Sequence, residues 1–248
     1  MARLMLLLTL PSLVAGQVHA QEAKLPPPTE KQFKASADNL RKIGLGMARF
    51  ADAHKDQLPN NAYARNGQAL LSWRVAILPI IEHEKLYEEF HLDEPWDSPH
   101  NVTLLPRMPS EFASQGDVVA EPFTTPFQAV VGPGAAFERN RGARLTDFTD
   151  GTEWTIMLAE ASQTVPWTQP ADLVYDPNGP LPPLGRVRGN RNLWLFRRSA
   201  PALLVAMADG AVRTVSKQVP EATLRAAITR NGGEVMPEDW WAAPKAGR

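Results

Sequence analysis

The chain contains no cysteine. Disulfides, thiolate nucleophiles, cysteine-based metal sites and a lipid anchor on an N-terminal cysteine are therefore excluded. Nor is there an excess of basic charge, since 26 Lys and Arg stand against 27 Asp and Glu. No basic stripe with interleaved aromatics occurs, so nucleic acid is not an expected partner. A long apolar run is found only in the first 20 residues, and it is too short to span a bilayer comfortably. Phosphate-loop and dinucleotide fingerprints are missing, because Gly44-Leu45-Gly46 lies inside a helical pattern rather than after a strand. There is no G-x-S-x-G elbow and no internal repeat. Proline, by contrast, is abundant: 23 of 248 residues, about twice the usual share. Many irregular connections between short elements are expected.

Met1 to Ala20 reads as a secretory signal. Arg3 supplies the positive region, Leu4 to Gly16 the apolar core, and Val18-His19-Ala20 suits cleavage before Gln21. An uncleaved anchor is the competing reading. Residues 21–28 (QEAKLPPP) form a stiff Pro-rich linker, and residues 29–248 are expected to form one domain. The protein is thus expected outside the cytoplasm, periplasmic or extracellular, with no stable membrane insertion after cleavage.

The domain is organised around a helix from Thr29 to about Asp56. Phe33, Ala37, Leu40, Ile43, Gly44, Met47, Phe50 and Ala51 recur at steps of three and four and mark one apolar stripe. Thr29 with Gln32 forms a capping box, and Pro59 lies soon after the end. A helix on the order of 40 Å long cannot be stable alone, so the rest of the chain must supply a surface for the stripe. Ser72 is placed to cap a short helix carrying Val75, Leu78 and Ile81. Asp97 or Ser98, with Pro99 just after, opens another that runs through Val102 to Leu105. From Pro122 onward, FQAVVG, WTIMLAEA, LVYD, LWLF and LLVAMADGAVRTV have strand composition. Asp209-Gly210 reads as a two-residue hairpin turn, and Val219-Pro220-Glu221 opens a closing helix. One long helix, short helices and an antiparallel sheet give an α+β class.

NLRKIGLGMARFADAH, SWRVAILPIIE, FHLDEPWDSPHN, TDGTEWTIMLAEA, VPWTQPADLVYD, MADGAVRTV and LRAAITRNGGEV occur in that order between about Asp38 and Val235. These seven motifs resemble the planctomycete family of unknown function, sometimes labelled a family 10 bacterial solute-binding protein. The resemblance implies a pilin-like fold, a long N-terminal helix laid on a sheet, and brings no established activity. Two departures stand out. Family members typically begin with a prepilin-like leader and a fully apolar first half of the helix. Here the leader looks cleavable, and Glu30, Lys31, Lys34 and Asp38 make the helix amphipathic from its start. Where the family usually has a His ten positions before the Asp of its DG turn, this chain has Ser199, so no role of that His carries over.

Four His follow the leader: His54, His83, His91 and His100. None of their pairs has metal-ligand spacing. The densest polar run is Asp93 to His100. Trp96, Asp97 and His100 are its candidate binding residues, with Trp96 as a stacking platform for a carbohydrate or the carboxylates as cation ligands. A capped turn explains the same order, Asp97 capping and Pro99 at the first helical position. Asp147, Asp150-Gly151 and Asp209-Gly210 complete no EF-hand and suit tight turns. Glu153 and Glu160 are glycosidase acids only if a cleft brings them together. Arg74, beside Trp73 and with Trp167, is expected to lock the fold by stacking and by pairing a carboxylate such as Glu160.

No catalytic residue, metal or cofactor is expected. The reading that results is a non-catalytic exported protein contacting an unknown protein partner at the cell envelope. A solute- or carbohydrate-binding protein using Trp96 to His100 and the loop 179–190 is the first alternative, and a metal-assisted hydrolase the second.

Overall fold

The computed structural model describes residues 29–115, 121–138, 141–185, 203–216 and 218–242. The expected leader, the Pro-rich linker, the strand at 193–196, Ser199 and the end of the loop 179–190 lie outside the described residues.

Helix α1 (Glu30–Ala53) starts as its capping box dictates: the Thr29 side chain accepts from Gln32 N–H while the Gln32 side chain accepts from Thr29 N–H. It closes at His54, followed by Lys55 and Asp56 with left-handed φ of 57° and 64°. Leu40, Ile43, Met47 and Ala51 are fully buried along the apolar stripe. α1 lies across the sheet and also touches the one-turn 3-10 segments Leu78–Ile81 and Ser110–Phe112.

The short helices α2 (Trp73–Ala76) and α3 (Glu84–Glu88) and the 3-10 turn Asn101–Arg107 fill the chain between α1 and the sheet. Ser72 caps α2, accepting from Arg74 N–H at 3.3 Å. The strands are β1 (Thr124–Val131), β2 (Phe137–Glu138), β3 (Arg141–Gly142), β4 (Ile156–Pro166), β5 (Leu173–Val174), β6 (Leu203–Met207) and β7 (Val212–Val215), and α4 (Glu221–Ile228) closes the fold. The sheet order is β3-β2-β1-β4-β6-β7, with β5 also paired to β1. The α+β expectation holds, and the sheet is mixed: β1 runs parallel to β2 and to β5, while the central β1-β4-β6-β7 pairings are antiparallel.

Both faces of the central strands are covered. Leu204 and Ala206 of β6 join Leu40, Ile43 and Met47 in one core under α1. Leu203, Val205 and Met207 join Leu224, Ala227 and Ile228 of α4 in a second core. This is the period-2 alternation of a strand buried on both sides, which reads in sequence as a continuous apolar run. A register shift between Ile156 and Leu158 lets Met157 and Leu158 both join the α1 core while Ile156 and Ala159 join the other.

The motif glycines mark close approaches. A Cβ on Gly44 would sit 3.2 Å from Gly210 O and 3.5 Å from Ala206 Cβ, so α1 meets the β6–β7 turn backbone to backbone. Gly46 faces Ile81 of the first 3-10 turn rather than the sheet. The β6–β7 connection also differs from the two-residue expectation. Met207 N–H donates to Ala211 O and Gly210 N–H to Met207 O, enclosing three residues with Gly210 at φ 84°. That is the geometry of a type I turn followed by a left-handed residue, which favours glycine.

Candidate functional site

The most constrained polar cluster lies against one edge of β1. In an extended strand, the peptide groups of alternate residues point to the same side. Phe127 O, Ala129 N–H and Val131 O therefore share one edge. At Val131 the edge is paired by β5, with Tyr175 N–H donating to Val131 O at 2.8 Å. Upstream, side chains take the place of a strand. Arg74 donates through Nε and Nη2 to Phe127 O at 3.1 and 2.7 Å, and Asp172 Oδ1 accepts from Ala129 N–H at 2.9 Å.

The two partners are joined to each other, with Arg74 Nη2 3.1 Å from Asp172 Oδ1 and side chains 0 % and 3 % exposed. Asp172 also accepts from Trp73 Nε1 at 3.0 Å and Asn61 Nδ2 at 2.8 Å. Arg74 donates Nη1 to Ser72 Oγ at 2.7 Å and lies over the Trp73 ring at 4.5 Å. Burial pulls the Arg74 guanidinium below its ordinary range, and Asp172 opposes that shift by its charge and hydrogen bond. The fold-locking role expected of Arg74 is thus present in its geometry, but the carboxylate is Asp172 and not Glu160. Glu160 is fully buried within β4, where Ser114 Oγ donates to it at 3.4 Å; Ser114 in turn lies 3.2 Å from Ser36 of α1. Glu153 is exposed at the turn before β4, so these two carboxylates share no cleft. Trp167 is occupied elsewhere, donating Nε1 to Leu105 O and stacking on Phe112.

The sequence-picked residues Trp96, Asp97 and His100 occupy a loop wrapped around Asn101. Asn101, itself fully buried, accepts from His91 N–H at 3.0 Å and donates Nδ2 to the carbonyls of His91, Glu94 and Pro95 at 2.9 to 3.3 Å. The expected Asp97 cap is not formed: Asn101–Arg107 begins after His100 without a side-chain cap, and the Ser98 Oγ accepts from Asn101 N–H at 3.0 Å. Trp96 is half-buried against the α1 core and donates its backbone N–H to Leu70 O; Asp97 is exposed. His100 donates Nε2 to Glu89 O at 2.7 Å and stacks on His91, ring centroids 3.6 Å apart. His91 Nδ1 lies 2.9 Å from Glu94 Oε1. Hydrogen bonds from Ser98 and then His91 hold Glu94 below the usual carboxylate range, and Arg107 does the same for Glu89.

The remaining candidates resolve into local structure. His54 stacks on Phe50 with Nδ1 2.7 Å from Phe50 O. His83 lies 3.4 Å from Glu111, which Lys42 also approaches. Burial pushes Glu111 up, but its own backbone N–H, His83 and Lys42 outweigh that and leave it below the usual range. Asp147 accepts from Arg144 N–H, and Asp209 accepts from Ala211 N–H. Asp150 accepts from Gly232 and Gly233 N–H at 2.7 and 3.0 Å, joining the DG turn before β4 to the Asn231-Gly232-Gly233 turn after α4. No group of three or more His, Asp or Glu suited to a metal occurs among the described residues. No described helix is long and apolar enough to cross a membrane.

Sequence reasoning missed Asp172 and Asn101 as organising residues. Asp172 lies 98 positions from Arg74, within a Pro-containing stretch without periodicity. Asn101 falls inside the helix expected to open at Asp97 or Ser98, and nothing local in the sequence marks its amide as buried.

These features define a helix-on-mixed-sheet α+β domain whose motif residues join distant segments. Residues 35–125 match the model of the family SBP_bac_10, described as a protein of unknown function (DUF1559), which is the family the motifs resemble. No curated protein and no solved structure matches the chain.

Proposed function

We propose that the protein is a non-catalytic exported module that makes protein contacts at the cell envelope. The observation that supports this reading most is where the motif residues go. Gly44 meets Gly210, Arg74 meets Asp172, and Asp150 holds Gly232 and Gly233. Each contact joins two motifs far apart in the chain, so the residues of the motifs are spent on shape. Catalysis asks for titratable groups with opposed environments facing one cleft. Three carboxylates among the described residues whose titration is displaced, Glu89, Glu94 and Glu111, are instead engaged locally, by Arg107, by His91, and by His83 and Lys42. Export rests on the leader read in the first 20 residues.

The test is fractionation combined with site-specific photocrosslinking from the exposed apolar residues Leu92 and Val102, 45 % and 40 % accessible. Recovery in the envelope fraction with a discrete crosslinked protein is the expected result. Recovery in the cytoplasm, or crosslinking no stronger than from a buried control position, overturns the proposal. A saturable ligand lost on Trp96→Ala would favour the solute-binding alternative.

A further inference from the structure

Between α1 and α2 the chain folds back on itself in a small hairpin. Ala62 N–H donates to Leu71 O, Leu70 N–H to Ala62 O, Ala64 N–H to Gln68 O and Gly67 N–H to Ala64 O, all at 2.7 to 2.9 Å. Its base is immobilised by Asn61, which accepts from Trp73 N–H at 2.9 Å and donates to Asp172 at 2.8 Å. Beside this hairpin lies an open cleft of about 520 Å³, lined by Gln57, Asn60, Asn61, Tyr63 and Arg65. That volume falls within the range of small-molecule sites.

The polar groups here are unevenly used. Asn61 is committed at both ends of its amide. The side chains of Gln57, Asn60, Tyr63 and Arg65 make no hydrogen bond or ion pair among the described residues, although Asn60 and Tyr63 are half-buried. No carboxylate among the described residues lines the cleft. The nearby Asp172 has a 3 % exposed side chain whose oxygens are already taken by four donors. Arg65 therefore sets the charge of the lining, and a cationic ligand is disfavoured. A guanidinium fork matches a carboxylate in bidentate fashion. Two neighbouring amides offer paired donors and acceptors to hydroxyl groups. A tyrosine adds an apolar face with a hydroxyl at its rim.

The geometry points to a binding site for a hydroxylated carboxylate, with a uronic acid unit as the ligand class. It extends beyond the envelope reading, since it requires no protein partner. Asn61 is its positioning residue, held to the rigid β1-edge cluster, and Arg65 its charge-recognising residue.

The test is calorimetric titration of the purified protein with galacturonate, trigalacturonate and the neutral galactose. Acidic sugars are expected to bind saturably and roughly tenfold or more tighter than galactose, because a charge-assisted pair exceeds a neutral hydrogen bond by about that factor. Arg65→Gln, an exposed change that leaves the melting curve unaltered, should erase that preference. Tyr63→Ala should weaken acidic and neutral sugars together. A trimer that binds more tightly than the monomer assigns the site to a polysaccharide, and equal affinities assign it to the free acid. Equal affinity for acidic and neutral sugars, no saturable binding of either acid, or an Arg65→Gln variant that keeps the preference overturns the inference. If Tyr63→Ala fails to fold, the Arg65→Gln arm decides alone.

Discussion

Two sets of ion pairs in this molecule use the same chemical groups on opposite terms with water. Arg74 and Asp172 are enclosed at the edge of β1, with every contact either to each other or to a fixed donor or acceptor of the fold. Glu89 with Arg107 and His91 with Glu94 sit on the surface, their side chains 39 to 50 % exposed. In the buried set, both charges have been stripped of water, so removing one partner leaves the other uncompensated. In the exposed set, water replaces whatever is removed, and the pair adds little. The buried set therefore carries architecture. The exposed set only shapes the surface around the loop centred on Asn101.

The comparison can be broken most forcefully at the buried pair. Asp172→Ala should cost about 3–5 kcal/mol in denaturant unfolding, the range for a broken buried ion pair. Arg74→Met combined with Asp172→Leu should cost less than either single change, because no orphaned charge remains. A double variant as unstable as the sum of the singles would show that the hydrogen bonds to β1, and not the charges, dominate. Next in size is Gly132→Ala: the new Cβ would lie 2.2 Å from Tyr175 O, a backbone atom that cannot rotate away. A loss of about 1–3 kcal/mol, the usual cost of overpacking, should appear as a lower unfolding midpoint. Asn101→Ala should cost about 2 kcal/mol by taking the partner from the carbonyls of His91, Glu94 and Pro95 and from His91 N–H.

The exposed set gives the smallest effects. Glu89→Gln should lower the unfolding midpoint only slightly at neutral pH, less than any change above. Glu89, Glu94 and Glu111 all titrate below their ordinary range in the native state, so the folded protein binds fewer protons than the unfolded chain there. Their stabilising share is complete above about 4.3, the ordinary glutamate value, and is lost as pH falls through the lower native values. Unfolding measured from pH 6 down to pH 3 should show this decline, and Glu111→Gln should make it shallower.

The same contrast explains what could be read from the chain alone. α1 was legible because its information is local: a 3.6-residue period, and Thr29 and Gln32 three positions apart. The central strands were legible because burial on both faces leaves a run of apolar residues such as Leu203 to Met207. The DG turn was recognisable, but its length was not, since two- and three-residue loops share that dipeptide. The β1-edge cluster was half legible. Arg74 stood out as a cation among aromatics, yet its partner lies 98 residues on and nothing local marks Asp172. The register shift that turns Met157 and Leu158 to the same core was invisible for a related reason, because a bulge is a property of two strands together. The binding residues picked from composition, Trp96, Asp97 and His100, lie on one loop; the amide that organises that loop, Asn101, immediately follows them.

Side chains stand in for a neighbouring strand along this edge of β1, with Asp172 taking the position of a carbonyl acceptor for Ala129 N–H. Native-state hydrogen exchange at the Ala129 amide, in the wild type and in Asp172→Ala, tests it most directly. Slow exchange is expected in the wild type and, in the variant, an acceleration at Ala129 well beyond that of the amides in β6. An Ala129 amide that speeds up only as much as those of β6, or not at all, would contradict it.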